Sequence, residues 1–185
     1  LLFFTQTGQV HYLKVHKIPE QHGLSTGDSL TDFIQLPLND RIIDVIMLNK
    51  KVENNYITIA TKNGLVKKTE GQEYKTRVSS LKAINLEEDD EVIGINITNG
   101  KQNLLLGTKE GYTIHFNEEQ VSPTGRNTKG RKGINLEDDD EVIGFNATTD
   151  NQVVIALTEN GRGKASPITE YKLQQRNGKG LQTLS

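Results

Sequence analysis

Residues 84–94 read INLEEDDEVIG, and residues 134–144 read INLEDDDEVIG. Nearly the same eleven residues therefore occur twice, at an offset of 50, each with five consecutive acids. A calcium loop, an acidic partner site and a structural repeat each account for one such stretch. A fixed period of this size points to a repeat architecture. A weaker copy, LPLNDRIIDVI at 36–46, lies another 50 residues upstream, with Asp40 aligned to Asp90 and Ile42 and Ile43 aligned to Val92 and Ile93. Calcium fits poorly, because EEDDE lacks the alternating D-x-D-x-D-G spacing that turns several oxygens toward one ion. The acid runs are read as solvated connections between blades. Lying away from a basic rim, they would repel a polyanion and confine it to that rim.

The other half of the repeat is a T-x-x-G turn between apolar runs: LLFFTQTGQV, ITIATKNGLV, LLLGTKEGYT and VIALTENGRG. Its glycines are Gly8, Gly64, Gly111 and Gly161. Each segment reads as a β-hairpin whose turn requires a positive φ. Ile93, Ile95 and Ile97 alternate with Gly94, Asn96 and Thr98, the period of a half-buried strand. Leu104, Leu105 and Leu106 form a continuous apolar run, as in a strand covered on both faces. No long 3.6-residue period is present.

One unit thus reads as strand (EVIGINI), loop, strand (NLLLGT), turn, strand (YTIHF), long loop, strand (GINL). Four strands in about 50 residues is the size of a propeller blade. The expected fold is all-β: one propeller-like domain over residues 1–185, with antiparallel four-stranded blades at 1–36, 37–86, 87–136 and 137–185. In this register three blades are whole. The first begins at its hairpin and lacks a preceding strand. The chain opens on LLFF without Met and ends at LQTLS, as expected of a segment cut from a longer protein.

Cysteine is absent, which excludes disulfides and thiolate metal sites. No run approaches the roughly 20 apolar residues of a membrane span, and the opening residues do not show the basic-then-apolar pattern expected of a signal peptide. The formal charge of -2 hides a division. Ten of the 24 acids sit in the runs 87–91 and 137–141, leaving 14 acids against 22 Lys and Arg. Much of that positive charge lies in the long loop between the third and fourth strands of each unit. SPTGRNTKGRKG (122–133) carries Arg126, Lys129, Arg131 and Lys132; YKLQQRNGKG (171–180) carries Lys172, Arg176 and Lys179; EYKTRVSSLKA (73–83) carries Lys75, Arg77 and Lys82. The loop of the first unit, HGLSTGDS, has only His22. Lys67, Lys68, Arg162 and Lys164 add cations from the hairpins. One basic loop is usually a solvated turn. Three at the same blade position form a stripe that can follow a phosphate backbone without reading bases.

Two other classes compete. A propeller binding protein or sugar would use its central channel or one face, and a sugar site usually exposes aromatics. This chain has no Trp, and its Tyr and Phe fall mostly within strand patterns. An enzyme is disfavoured, since His11, His16, His22 and His115 are scattered with no Ser/His/Asp grouping or metal spacing.

The segments TENGRGKASPITEYKLQQRNGKG (158–180), LLFFTQTGQVHYLKVHKIPE (1–20) and TGRNTKGRKGINLEDDDEVIGF (124–145) resemble the C-terminal domain of the A subunit of bacterial DNA gyrase and topoisomerase IV. The resemblance runs in order along essentially the whole chain. It implies a β-pinwheel, a propeller-like disc whose blades exchange strands, with duplex DNA bent around its basic rim. It further implies a non-catalytic part of an ATP-hydrolysing type II topoisomerase, cytoplasmic, bacterial and associated with the nucleoid. Its partners would be duplex DNA, the B subunit and the rest of the A subunit, within an A2B2 holoenzyme, with no membrane. No cofactor or metal is implied in this domain, since ATP and Mg2+ are used elsewhere in the enzyme, as is the cleavage tyrosine. The family's box motif QRRGGKG, needed for wrapping, normally lies in the first blade. Its nearest match here is QQRNGKG (174–180), in the last unit, which places a true box before Leu1 or nowhere. Gyrase is favoured over topoisomerase IV by TENGRGK and TGRNTKGRKG.

Overall fold

The computed structural model describes residues 1–183. Leu184 and Ser185, the end of the fourth predicted blade, lie outside the described residues. In chain order, β1 (Leu2–Thr5) and β2 (Gln9–Tyr12) form a hairpin, followed by β3 (Ile42–Ile46). A second hairpin, β4 (Tyr56–Thr61) and β5 (Leu65–Glu70), precedes the short β6 (Ser80–Lys82) and then β7 (Val92–Thr98). The third, β8 (Asn103–Thr108) and β9 (Tyr112–Asn117), precedes β10 (Arg131–Lys132) and β11 (Val142–Thr148). The last, β12 (Val153–Leu157) and β13 (Gly163–Pro167), precedes β14 (Leu181–Gln182).

The four T-x-x-G turns have one geometry. Gly8, Gly64, Gly111 and Gly161 all sit in the left-handed region, with φ between 77° and 85°. In each, the glycine N–H donates to the threonine carbonyl at 3.0–3.1 Å. The threonine Oγ1 accepts from the backbone N–H four residues on, at 3.1–3.2 Å. Glycine supplies the positive φ of a three-residue hairpin loop, and the threonine caps its exit.

Antiparallel pairing gives three four-stranded sheets, β3-β1-β2-β6, β7-β4-β5-β10 and β11-β8-β9-β14, and a two-stranded sheet β12-β13. This corrects the predicted blade boundaries at 36, 86 and 136. The strand after each acidic run belongs to the preceding hairpin: β7 pairs with β4, Ile57 opposite Ile97 and Ile59 opposite Ile95. The fourth strand comes from beyond the next hairpin, so the second sheet draws on residues 56–132 and the third on 103–182. Adjacent sheets therefore exchange strands, as the resemblance implies for a pinwheel. The first sheet has all four strands, and it is the fourth hairpin that has only two among the described residues.

Two details of the strands also differ from expectation. A β-bulge recurs where the acidic connection enters each strand: Thr5 faces Ile42 while Phe4 faces Asp44, Thr61 faces Val92 while Ala60 faces Gly94, and Thr108 faces Val142 while Gly107 faces Gly144. The extra residue, Ile43, Ile93 or Ile143, breaks the alternation. Val92 consequently packs into the same core cluster as Ile95 and Ile97, while Ile93 turns to the other face of the strand. The expected strand GINL is displaced too. β6 and β10 end just before it, and Ile84 and Ile134 fill the core as non-strand residues.

Two clusters occupy the spaces between sheets. One holds Phe4, Val10, Ile57, Ile59, Tyr74 and Ile84, and the other Val66, Leu104, Leu106, Ile114, Phe116 and Ile134. Each such side chain stabilises the fold by roughly 1.5–3 kcal/mol relative to exposure. The second sheet is covered on both faces, which matters for its lysines.

Candidate nucleic-acid interface

Each basic loop leaves its hairpin through a 3-10 turn (Gly71–Tyr74, Glu118–Gln120, Ile168–Glu170) and returns to pair with the preceding sheet through β6, β10 or β14. The paths are fixed by backbone bonds at matching places. Thr124 N donates to Lys68 O (2.8 Å) and Gln174 N to His115 O (2.8 Å); Asn85 N donates to Thr128 O (3.0 Å) and Asn135 N to Gly178 O (2.9 Å). Gly130 has no room for a Cβ, which would meet that of Leu65 at 2.9 Å.

The loops touch one another in series. The Arg126 N–H donates to Glu73 Oε2 at 3.2 Å, and its Nε lies 3.9 Å from the same oxygen. Asn177 N donates to Gly133 O at 2.8 Å, and Arg176 Nη1 donates to Lys132 O. The segments 73–83, 122–133 and 171–180 thus form one continuous band.

Within that band the predicted cations separate into three groups. Arg77, Arg131, Lys132 and Lys172 are exposed and have no ion-pair partner among the described residues. Arg162 and Lys164 are likewise exposed on the fourth hairpin, and Lys164 lines a shallow hollow with Tyr171, Leu181 and Gln182 beside the last loop. Lys75, Lys129 and Lys179 are exposed but paired, with Glu53 (3.3 Å), Glu87 (2.6 Å) and Glu137 (2.5 Å). Arg126 and Arg176 are partly buried and tie loops together: Arg176 Nε also donates to Gln120 O at 3.2 Å.

Lys67 and Lys68 are a correction. Placed among the rim cations by sequence, they are 1% and 3% exposed. Alternation puts them on opposite faces of β5, but both faces are covered. Lys67 Nζ donates to the carbonyls of Ala83 (2.6 Å) and Arg126 (2.7 Å), clamping the third loop from beneath. Burial brings its pKa down to about 7, against the opposing pull of Glu73. Lys68 Nζ donates to Glu118 O (2.9 Å) and lies 3.7 Å from the Glu118 carboxylate. Burial lowers its pKa as well, with Glu118 acting in the other direction.

Glu118 gave no signal in the sequence beyond its repeat position. It is fully buried and accepts from Thr98 Oγ1 (2.6 Å), Gly100 N (2.9 Å) and Gln102 N (2.8 Å), fixing the turn between β7 and β8. Its role and that of Lys68 emerge only from the strand exchange.

The acid runs are more than solvated turns. Asp90 Oδ1 accepts from Asn63 N and Asp140 Oδ1 from Glu110 N, at 2.9 and 3.0 Å, while Asp40 accepts from Thr7 N at 3.1 Å. Asp40, Asp90 and Asp140, at equivalent repeat positions, thereby buttress the turns that end at Gly8, Gly64 and Gly111. Asp89 and Asp139 take left-handed backbone angles, φ 63° and 65°, which Asp tolerates better than most residues. The pairing of Glu87 with Lys129 sets the run against the basic band, not away from it. Among the described residues no group of three or more His, Cys, Asp or Glu is placed to hold a metal ion, and no helix is long and apolar enough to cross a membrane.

The family model described as the DNA gyrase C-terminal domain, beta-propeller, matches residues 1–49, 55–99, 102–149 and 152–185. The A subunit of DNA gyrase from Clostridium acetobutylicum is 46% identical over 99% of the chain, and that from Staphylococcus epidermidis 37% over 99%. The chain spans 22% and 21% of their lengths. The crystal structure of the C-terminal domain of DNA topoisomerase IV superposes with a TM-score of 0.92 at 32% identity, covering 98% of this chain and 57% of that one. A DNA gyrase A C-terminal domain structure superposes at 0.79 with 20% identity over 97% of this chain and 58% of its own, a likeness of fold.

Proposed function

The chain belongs to the DNA gyrase C-terminal domain family, and from that premise we propose that it binds and bends duplex DNA along the band of basic loops, without reading sequence. The observation that supports this reading most is the continuity of the band. Glu73 meets Arg126, and Lys132 meets Arg176, so Arg77, Arg131, Lys132 and Lys172 stand exposed along adjoining loops. Cations without neighbouring base-reading groups contact phosphates, and specificity then follows the ease of bending the duplex.

In this reading the chain is the non-catalytic, DNA-wrapping part of the A subunit of a bacterial type II topoisomerase. It acts in the cytoplasm, in an A2B2 assembly with the B subunit and the rest of its own subunit. ATP and Mg2+ are used outside it. Gyrase is favoured over topoisomerase IV by the 46% identity to the A subunit of a gyrase.

The test is binding to random-sequence duplex at several salt concentrations. Each phosphate neutralised adds about 0.9 to the slope of log affinity against log salt. Replacing Arg77, Arg131, Lys132 and Lys172 by Ala should flatten the slope and weaken binding to all sequences alike. Affinity insensitive to both salt and the substitutions sinks the reading and favours a protein-binding propeller.

A further inference from the structure

The two rim lysines at equivalent places in the third and fourth loops are already paired, each with the first acid of a run. Lys129 Nζ lies 2.6 Å from Glu87 Oε1, and Lys179 Nζ lies 2.5 Å from Glu137 Oε1. Both pairs span 42 residues. The backbone builds the approach: the bonds from Asn85 N to Thr128 O and from Asn135 N to Gly178 O lie two residues before the acid and one before the lysine. The same ion pair made twice by the same local scaffold is a feature of the repeat.

All four side chains are open to solvent, at 57% for both Lys129 and Glu87, 70% for Lys179 and 61% for Glu137. The pairs can therefore be opened without unpacking anything. Lys129 holds the Glu87 carboxyl below its ordinary pKa, and Glu137 holds the Lys179 ammonium above its own. Glu88 and Asp138, next along each run, are exposed and form no ion pair among the described residues.

We propose that Glu87 and Glu137 set the affinity of the rim for DNA, because each occupies a lysine that a phosphate must capture. This rests on the DNA-binding reading above. A carboxylate and a phosphodiester compete for one ammonium. When the phosphate takes the lysine, the displaced carboxylate remains beside the duplex and repels it, so the opposition persists in the complex. The acids of the repeat thus weaken the grip of the neighbouring loop and keep binding reversible.

Four variants, each compared with the unaltered chain, test this on linear random-sequence duplex. The variant Glu87→Gln/Glu137→Gln keeps an acceptor oxygen beside each lysine but removes the charge. It should bind roughly 2- to 30-fold more tightly at low salt, the range set by two exposed ion pairs, and the gain should shrink as salt screens them. Glu88→Gln/Asp138→Asn makes the same change in net charge on the same runs and should raise affinity by a clearly smaller factor. In a Lys129→Ala/Lys179→Ala background the Glu87→Gln/Glu137→Gln gain should fall to that of the control. An equal gain from the control, or a gain that survives loss of the lysines, would show general repulsion and overturn the proposal. Unchanged affinity in Glu87→Gln/Glu137→Gln, with the unaltered chain binding normally, overturns this inference alone. If the unaltered chain does not bind duplex, the DNA-binding reading fails and this inference with it.

Discussion

Lys68 on β5 and Glu118 after β9 form an ion pair 3.7 Å apart, with side chains only 4% and 0% exposed. The two residues come from adjacent sheets, and the carboxylate also accepts the Gly100 and Gln102 amides. The pair therefore joins a hairpin to the turn that starts the next one. Tyr12, four residues after Gly8 as Lys68 is after Gly64, makes the corresponding link through its hydroxyl to Tyr74 O at 2.8 Å. His115, four after Gly111, makes it through Nδ1 to Tyr171 O at 2.8 Å.

Removing one partner of the buried pair should be far worse than removing an exposed cation. Lys68→Ala strands the Glu118 carboxylate in the interior and should cost about 3–5 kcal/mol. Chemical denaturation of Lys68→Ala beside Lys172→Ala gives the check. The second should stay within about 0.5 kcal/mol of the unaltered chain.

The glycine turns allow a comparison in which one variable changes. Alanine at Gly161 meets no atom of the described residues within 4 Å, so Gly161→Ala carries the left-handed backbone cost alone, about 1–2 kcal/mol. At Gly64 the new Cβ would lie 2.9 Å from Ile134 Cγ2 in the core. Gly64→Ala should therefore lose about 1–3 kcal/mol more through overpacking. Equal melting shifts for the two variants would contradict the repeat geometry.

These turns were legible in the sequence because their cause is local. A threonine cap and a positive-φ glycine lie within one four-residue turn, and nothing distant alters them. The sheets were not legible, because β10 is two residues long and pairs with a hairpin some 65 residues earlier in the chain. No hydrophobic period marks so short a strand. The bulges at Ile43, Ile93 and Ile143 hid the inward face of β3, β7 and β11 for a related reason: one inserted residue reverses a period of two. The basic loops were readable as a group, but their roles were not. Whether a cation is free, paired or structural depends on what the exchanged strands bring near it, and Lys67 and Arg176 show how far that can depart from composition.

Lys67 should leave a signature in the pH dependence of stability. Its pKa is about 7 in the folded chain and near 10.5 when unfolded, so between those values the unfolded state binds the extra proton. Stability then rises with pH across that window, by at most about 1.4 kcal/mol per unit. Below pH 7 the cost of burying the charge is fully present. Lys67→Met should flatten this rise from pH 7 to 10, as followed by denaturant midpoints. An unchanged slope would mean that another group carries it.

Arg131 and Arg176 should behave as opposites. Both belong to predicted rim loops, but Arg131 is exposed with no ion pair among the described residues, whereas Arg176 donates to the Gln120 and Lys132 carbonyls. On the proposed DNA-binding reading, Arg131→Ala removes a phosphate contact and little else. It should lower the salt slope of DNA binding by about 0.9 and leave the melting curve close to its original position. Arg176→Ala removes a charged donor from two carbonyls, at about 1.5–3 kcal/mol for such hydrogen bonds. It should destabilise the chain and loosen the docking of the last loop on Lys132. Arg176→Lys separates the two roles further: it keeps the charge for DNA but lacks the planar fork that reaches both carbonyls. It should bind DNA with nearly the original salt slope while melting like Arg176→Ala. A stable Arg176→Lys protein with a reduced slope would reverse the assignment and make Arg176 a phosphate ligand.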